Sequence, residues 1–309
     1  MTVIVIGIDG GGSRTRAMVA DHTGKEIVTV EGAGSAVRPG QAERSAETIT
    51  GVVREALVAG GITHVRPKVL CVGVAGAGRE AEREALRQAL VSRDVAEDVV
   101  IHTDAMIGLD DAFGDDAGIL VIAGTGSVAY GRGPTGAFAR CGGWGPHCGD
   151  EGSGAWIGRR VLSVVTAAHD GREPETALSA AILMATQSNE VGDLIAWAAA
   201  ASPGDLAALA PVVMTVAHAG DLRANAVVTL AVEELVLHAR TLARQLFVDE
   251  RAAVPLALGG GLLTKGTVLR KRLVGRLKSA VPGAVLREEP VIPVRGAVRA
   301  ALRLLARSP

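Results

Sequence analysis

An apolar run, Val3-Ile4-Val5-Ile6, meets the turn Gly7-Ile8-Asp9-Gly10-Gly11-Gly12 and resumes as Ala17-Met18-Val19-Ala20. The pattern returns at 118–131, where Ile119-Leu120-Val121-Ile122-Ala123 meets Gly124-Thr125-Gly126-Ser127 and then Val128-Ala129-Tyr130. Short apolar runs rich in β-branched residues predict buried strands, and a glycine turn between two of them predicts a hairpin. Each copy closes in a polar turn, Thr23-Gly24 and Thr135-Gly136. Glycine lets backbone N–H groups approach phosphate oxygens with no Cβ in the way. Two such hairpins, facing across a cleft, can hold one polyphosphate.

Between the hairpins the period changes. Residues 41–60 place Ala46, Ile49, Val53, Ala56 and Leu57 on one face of a helix. A buried strand is expected at 67–74, ending in Gly73-Val74-Ala75-Gly76-Ala77-Gly78, then a charged helix at 79–92. A short strand at 99–103 leaves Asp104 just past its end, and 105–113 reads as helical. Gly114-Asp115-Asp116 reads as an inter-domain turn, which divides the chain into 1–115 and 116–309. The second part predicts helices at 152–169, 173–186, 190–201, 204–218 and 221–249. A strand at 253–258 runs into Gly259-Gly260-Gly261, followed by helices at 265–280 and 295–307.

Composition narrows the function. A chain of 309 residues can bury a large core in one or two domains. Lys and Arg number 32 against 33 Asp and Glu, so no basic field draws nucleic acid. No apolar run approaches the roughly 20 residues of a membrane span. No basic segment with a cleavage site opens the sequence. Three cysteines are too few for a disulfide framework, and the expected setting is a reducing cytoplasm. Cys141, His147 and Cys148 lie close together but lack C-x-x-C spacing and a fourth ligand, so zinc is not expected.

The first glycine turn is not a dinucleotide-binding fingerprint, because a strand and not a helix follows it. No G-x-x-x-x-G-K-[ST] segment is present. Asp9, at the end of the first strand, suits Mg²⁺ held through water beside bound phosphates, or simply a turn. Ser13, Thr15, Thr125 and Ser127 add hydroxyl donors. Asp104 follows Ile101-His102-Thr103, where a carboxylate can take the proton of an attacking hydroxyl or cap the next helix. His102 reads as a strand histidine. Trp144, in Gly142-Gly143-Trp144-Gly145 ahead of Asp150-Glu151, suits a sugar: an indole covers a pyranose face and carboxylates accept from its hydroxyls. Trp156 and Cys71 read as core residues.

Taken as a set, six motifs resemble the N-acetylglucosamine kinase branch of the sugar kinase, Hsp70 and actin superfamily, the BadF/BadG/BcrA/BcrD ATPase-type family. They are Asp9-Gly10-Gly11-Gly12-Ser13, Gly73 through Gly78, Thr103-Asp104-Ala105, Gly124-Thr125-Gly126-Ser127, Gly142-Gly143-Trp144-Gly145 with Gly149-Asp150-Glu151-Gly152-Ser153, and Leu258-Gly259-Gly260-Gly261. The resemblance covers nearly the whole chain. It implies an α/β fold of two ribonuclease-H-like (actin-like ATPase) domains with an inter-domain cleft, the last helix packing back on the first domain. It implies phosphate loops at Gly10, Gly11, Gly12, Ser13 and Thr15 and at Gly124, Thr125, Gly126 and Ser127. Gly259, Gly260 and Gly261 would meet the adenosine.

The resemblance further implies that Asp104 is the base for the 6-hydroxyl of a sugar. That sugar would sit against Gly76, Ala77, Gly143, Trp144, Asp150 and Glu151. Relatives often carry an Asn in the turn after the first hairpin; the segment 32–40 has none, and Ser35 is the expected substitute. Arg38 in that turn reads as a solvated residue or as a partner for an acidic sugar. The expected reaction is ATP- and Mg²⁺-dependent phosphorylation of N-acetylglucosamine, with glucosamine or another amino sugar as the alternative. The expected assembly is a cytoplasmic homodimer without nucleic-acid or membrane partners. Two other classes stay open. An ATP-driven activator of a radical dehydratase would need thiolates for an Fe–S cluster. A sugar-responsive module without turnover would not need both Asp9 and Asp104.

Overall fold

Each apolar hairpin lies inside a five-stranded sheet, and the two sheets have the same strand plan. The computed structural model describes residues 3–12, 14–248 and 252–307, so Ser13 lies outside the described residues. The chain divides into two compact units, 1–116 with 291–309, and 117–290.

In the first unit the order along the chain is β1 (Ile4–Gly10), β2 (Arg14–Asp21), β3 (Glu26–Ala33), α1 (Ala42–Ala59), β4 (Val69–Val74), α2 (Glu80–Val91), β5 (Asp98–His102) and α3 (Asp104–Phe113). The sheet order is β3-β2-β1-β4-β5, with β1 antiparallel to β2 and parallel to β4. Ile4, Ile6 and Ile8 pack on the side of α1 and α2, whereas Val5 faces a separate cluster with the last helix, Pro293–Leu305. Burial on both faces explains why β1 reads as one apolar run. The register sets Asp9 beside Gly73 and Gly73 beside His102. The ends of three parallel strands therefore align, and Asp104 starts the helix that follows.

The second unit runs β6 (Gly118–Ala123), β7 (Ser127–Arg132), β8 (Phe138–Gly142), α4 (Gly154–His169), α5 (Leu178–Thr186), α6 (Asp193–Ala200), α7 (Pro203–Ala208), α8 (Ala210–His218), α9 (Leu222–Leu246), β9 (Val254–Gly259), α10 (Val268–Ala280) and β10 (Ala284–Leu286). Its order, β10-β9-β6-β7-β8, makes β6 the counterpart of β1 and β9 that of β4. The central strands pack against α4, α8, α9 and α10 in one cluster. The last helix is α11.

Three expectations needed revision. The segment 204–218 is two helices, α7 and α8, meeting at Leu209, with Pro211 in the first turn of α8 where no N–H is required. The helix expected from 173 starts at Leu178; Asp221 accepts instead from the Ala177 N–H at 2.9 Å and the Thr176 hydroxyl at 2.9 Å. Edge strand β8 carries no continuous apolar run and β10 is only three residues long, and the sequence pattern predicts neither. No helix among the described residues is long and apolar enough to cross a membrane.

Candidate active site

The first unit gathers its polar groups at the aligned ends of β1, β4 and β5. Burial, reinforced by the nearby negative charge of Asp104, pushes the Asp9 carboxyl up to about 6; Arg16 and Arg14 oppose the shift. Asp104 is also raised, by burial, although its Oδ1 accepts from the Ala105 N–H at 3.0 Å. Capping of α3 falls to Thr103, whose hydroxyl accepts from the Met106 N–H at 3.2 Å. Thr103 is the N-cap, and Asp104 is the first helical residue. Ile107 occupies the space of a Cβ at Gly73, so α3 approaches closely beside Asp9.

The turn of the first hairpin is stitched to its neighbours through backbone. The Gly11 carbonyl accepts from Ser35 and Ala36 N–H groups at 3.0 and 3.1 Å, and Val37 N–H donates to the Ala75 carbonyl at 2.8 Å. Gly76 has φ +91, and a Cβ there would meet the Val37 oxygen at 2.0 Å. Thr15 and Ser35, expected to reach ligands, are instead buried. The Thr15 hydroxyl donates to the Ala33 carbonyl at 2.7 Å and lies 2.8 Å from the Ser35 hydroxyl. A Cβ on Gly10 would strike Ser35 Oγ at 2.5 Å. The two hydroxyls brace the turn from beneath, leaving Gly11 and Gly12 partly or fully exposed. Ala77 is likewise buried, while Gly76 is exposed.

In the second unit the turn 124–127 rests on the start of α4. Gly154 and Ala155 N–H groups donate to the Gly124 and Thr125 carbonyls at 2.8 and 3.1 Å, and Ser153 caps α4. Thr125 is exposed, but Ser127 is buried and its hydroxyl donates to the Glu151 carbonyl at 2.6 Å. In this structure the hydroxyl braces the turn. Asp150, at φ +60, accepts from the Gly145 N–H at 3.2 Å and from Ser127 backbone. Burial raises its carboxyl despite these bonds. Gly260, at φ +88, leaves no room for a Cβ, which would lie 2.3 Å from the Ala123 oxygen. Gly259, Gly260 and Gly261 therefore lie beside the turn 124–127.

Trp144 is 68 % exposed with the Arg140 guanidinium 4.5 Å from its ring centre. Trp156 packs against the core, as expected. Cys141 lies half-buried on β8 and Cys148 is exposed. Glu151 is half-buried, and two residues on α9 face it that the sequence did not single out. His238 Nε2 is 4.0 Å from Glu151 Oε2, and the Glu234 carboxyl is raised by burial and by Glu151.

The model of the BadF/BadG/BcrA/BcrD ATPase family matches residues 6–303. The chain belongs to this family. An N-acetylmuramic acid/N-acetylglucosamine kinase of Clostridium acetobutylicum is 30% identical over 83% of this chain and 84% of its own length. An N-acetyl-D-glucosamine kinase of Dictyostelium discoideum is 28% identical, over 97% of this chain and 98% of its own. The crystal structure of a candidate N-acetylglucosamine kinase from Chromobacterium violaceum superposes with a TM-score of 0.81. It is 28% identical and covers 97% of this chain and 99% of its own. This ATPase-family chain thus shares the two-domain α/β fold of sugar kinases.

Proposed function

We propose that this protein transfers the γ-phosphoryl group of ATP to the 6-hydroxyl of N-acetylglucosamine or a close amino-sugar relative such as glucosamine. That it is an ATP-dependent sugar kinase follows from its family and from the kinases it resembles along nearly its whole length. The observation that carries the reading of the chemistry is Asp104, a partly buried carboxyl group just past the ends of the parallel strands, on a helix whose N-cap is Thr103. Burial makes such a carboxylate more basic. Asp104 takes the 6-hydroxyl proton as the sugar oxygen bonds to the γ-phosphorus and the β–γ bridging bond breaks, leaving ADP.

The backbone N–H groups of Gly11, Gly12, Thr125 and Gly126 bind the phosphates, and Gly259, Gly260 and Gly261 leave space for the nucleoside. Asp9 fits a Mg²⁺ site: it is a partly buried carboxylate whose pKa is raised by desolvation and by the nearby carboxylate of Asp104, even with Arg16 and Arg14 opposing. Bound there through water, Mg²⁺ would neutralise charge on the phosphates. In this reading Gly76 from the first unit and Gly143 and Trp144 from the second meet the sugar, and Asp150 and Glu151 accept from its hydroxyls. A homodimer in the cytoplasm belongs to the same proposal, and the mass in solution tests the dimer.

A second sugar is favoured by one observation. Arg38 and Arg44 line a cavity of about 150 Å³ together with Gly12, Gly34, Gln41 and Thr48. Two guanidinium groups beside the first turn suit an amino sugar carrying a carboxylate. A coupled assay of ADP release across hexoses, glucosamine, N-acetylglucosamine and its 3-O-carboxyalkyl ether tests both readings. Release stimulated by an N-acetylated amino sugar is expected; absence of stimulation by every sugar would refute the proposal.

A further inference from the structure

We infer that His238 is a positioning residue for Glu151, holding that carboxylate for the sugar; this deepens the kinase reading above and rests on it. His238 lies in the middle of α9, on the face packed against β7 and β8, and is 7% exposed. The backbone opposite is shaped around its ring. Gly142 has φ +74, and a Cβ there would fall 2.7 Å from His238 Nε2 and 2.9 Å from Cε1. Only glycine suits that position, both for its conformation and for the space the imidazole takes.

The two ring nitrogens differ. Nδ1 is buried and has no hydrogen-bond partner among the described residues, whereas Nε2 lies 4.0 Å from Glu151 Oε2. A proton on Nδ1 would be a buried donor left unpaired, which proteins avoid. Burial holds the imidazole below its ordinary range, against the pull of Glu151 and Asp150, so the ring is neutral near pH 7. The single proton therefore sits on Nε2, aimed at Glu151. The 4.0 Å separation exceeds a hydrogen bond, and such contacts commonly tighten when substrate arrives.

Glu151 occupies a junction. Its backbone oxygen takes the Ser127 hydroxyl at 2.6 Å, so the residue facing His238 is tied to the turn 124–127. Around Glu151 lie Glu234, one turn before His238 on α9, Asp150, and Cys141 on β8, which is hydrogen-bonded to Thr241. Three carboxyl groups crowd this corner, and an imidazole N–H is a donor that can orient one of them.

A packing histidine and a positioning histidine respond differently to substitution. In the full-length enzyme, His238→Phe keeps ring volume and removes the donor. The expected result is a KM for N-acetylglucosamine at least 10-fold higher, with the KM for ATP within about 2-fold of wild type. His238→Gln, which restores an N–H donor, should return the sugar KM to within about 3-fold. In ¹⁵N NMR of the wild-type imidazole, the Nε2–H tautomer is expected, and Glu151→Gln should lower the His238 pKa. Unchanged sugar KM in a folded His238→Phe enzyme overturns the inference. So does a His238→Gln enzyme no better than Phe, an Nδ1–H tautomer, or a His238 titration indifferent to Glu151→Gln. If wild type shows no sugar-dependent ADP release, the kinase reading fails; the NMR arm still decides whether His238 and Glu151 are coupled.

Discussion

The Asp150 carboxylate fills the space that any side chain at Gly126 would need: a Cβ there would lie 2.7 Å from Asp150 Oδ2 and 3.2 Å from Cγ. Asp150 cannot swing away freely. It is buried and accepts from Gly145 and Ser127 backbone N–H groups. Overpacking of this kind costs about 1–3 kcal/mol and shifts backbone. Gly126→Ala is therefore expected to move the turn 124–127 and raise the KM for ATP roughly 10-fold or more. Kinetics at saturating sugar check this. An ATP KM equal to wild type would separate the turn from nucleotide binding.

Asp104→Asn removes the base while keeping shape. Thr103 caps α3 in either variant, so the fold should hold. The expected loss is roughly 10²–10⁴ in kcat, the usual scale for a positioned general base, with modest change in KM. Circular dichroism confirms folding and single-turnover assays read the chemical step. Near-normal turnover would remove Asp104 from the mechanism.

Why some of this was visible in the sequence and some was not has physical reasons. The repeated hairpin was legible because β1 and β6 are central strands, buried enough to leave unbroken apolar runs. Edge strand β8 is partly exposed and carries mixed residues, and β10 has only three residues, so neither leaves such a signature. The carboxylates Asp9 and Asp104 were legible because strand ends are recognisable and polar residues just beyond them stand out. The hydroxyls misled: Thr15, Ser35 and Ser127 have donor chemistry, but residue type does not say which way a side chain turns, and all three turn inward. His238 could not be found at all. Its position fits the helical period of α9 like any core residue, and its partner Glu151 is 87 residues away in sequence, a separation that only the fold closes.

The pH dependence of stability follows from Asp9. Its carboxyl titrates near 6 when folded, against 3.8 unfolded. Between those values the folded chain holds the extra proton, so stability falls as pH rises through that window and the penalty is complete above it. The ceiling is about 3 kcal/mol. Asp9→Asn should thus raise the melting temperature of the ligand-free protein by roughly 5 °C at pH 7.5 and give no gain at pH 4. The same variant should lose most of the stabilisation that MgATP gives wild type. Thermal melts at the two pH values, with and without MgATP, decide it; equal melting at pH 7.5 would contradict the burial argument.

Docking of α11 sets the last expectation. A Cβ on Gly296 would lie 1.8 Å from the Ile107 oxygen and 2.9 Å from the Asp111 nitrogen, both backbone atoms of α3 that cannot step aside. The helix is locked at that height by charge. Asp111, 1% exposed, accepts from Arg295 Nη2 at 2.9 Å and the Ile292 N–H at 2.7 Å, and Arg303 pairs with Asp110. Gly296→Ala must lift α11 from α3 and stretch these pairs, whose carboxylate ends are buried and whose arginines are partly exposed; disruption is costly once a buried carboxylate is left without its cation. At least 2 kcal/mol of lost stability is expected. Because α3 begins with Asp104, kcat should fall in the same variant. Arg295→Lys tests the charge part alone: a single ammonium cannot reproduce the two-pronged guanidinium contact, so a loss of about 1 kcal/mol without the kcat defect is expected. Urea unfolding and steady-state rates on both variants measure the two effects. A Gly296→Ala protein as stable and active as wild type would show that α11 does not hold α3 in place.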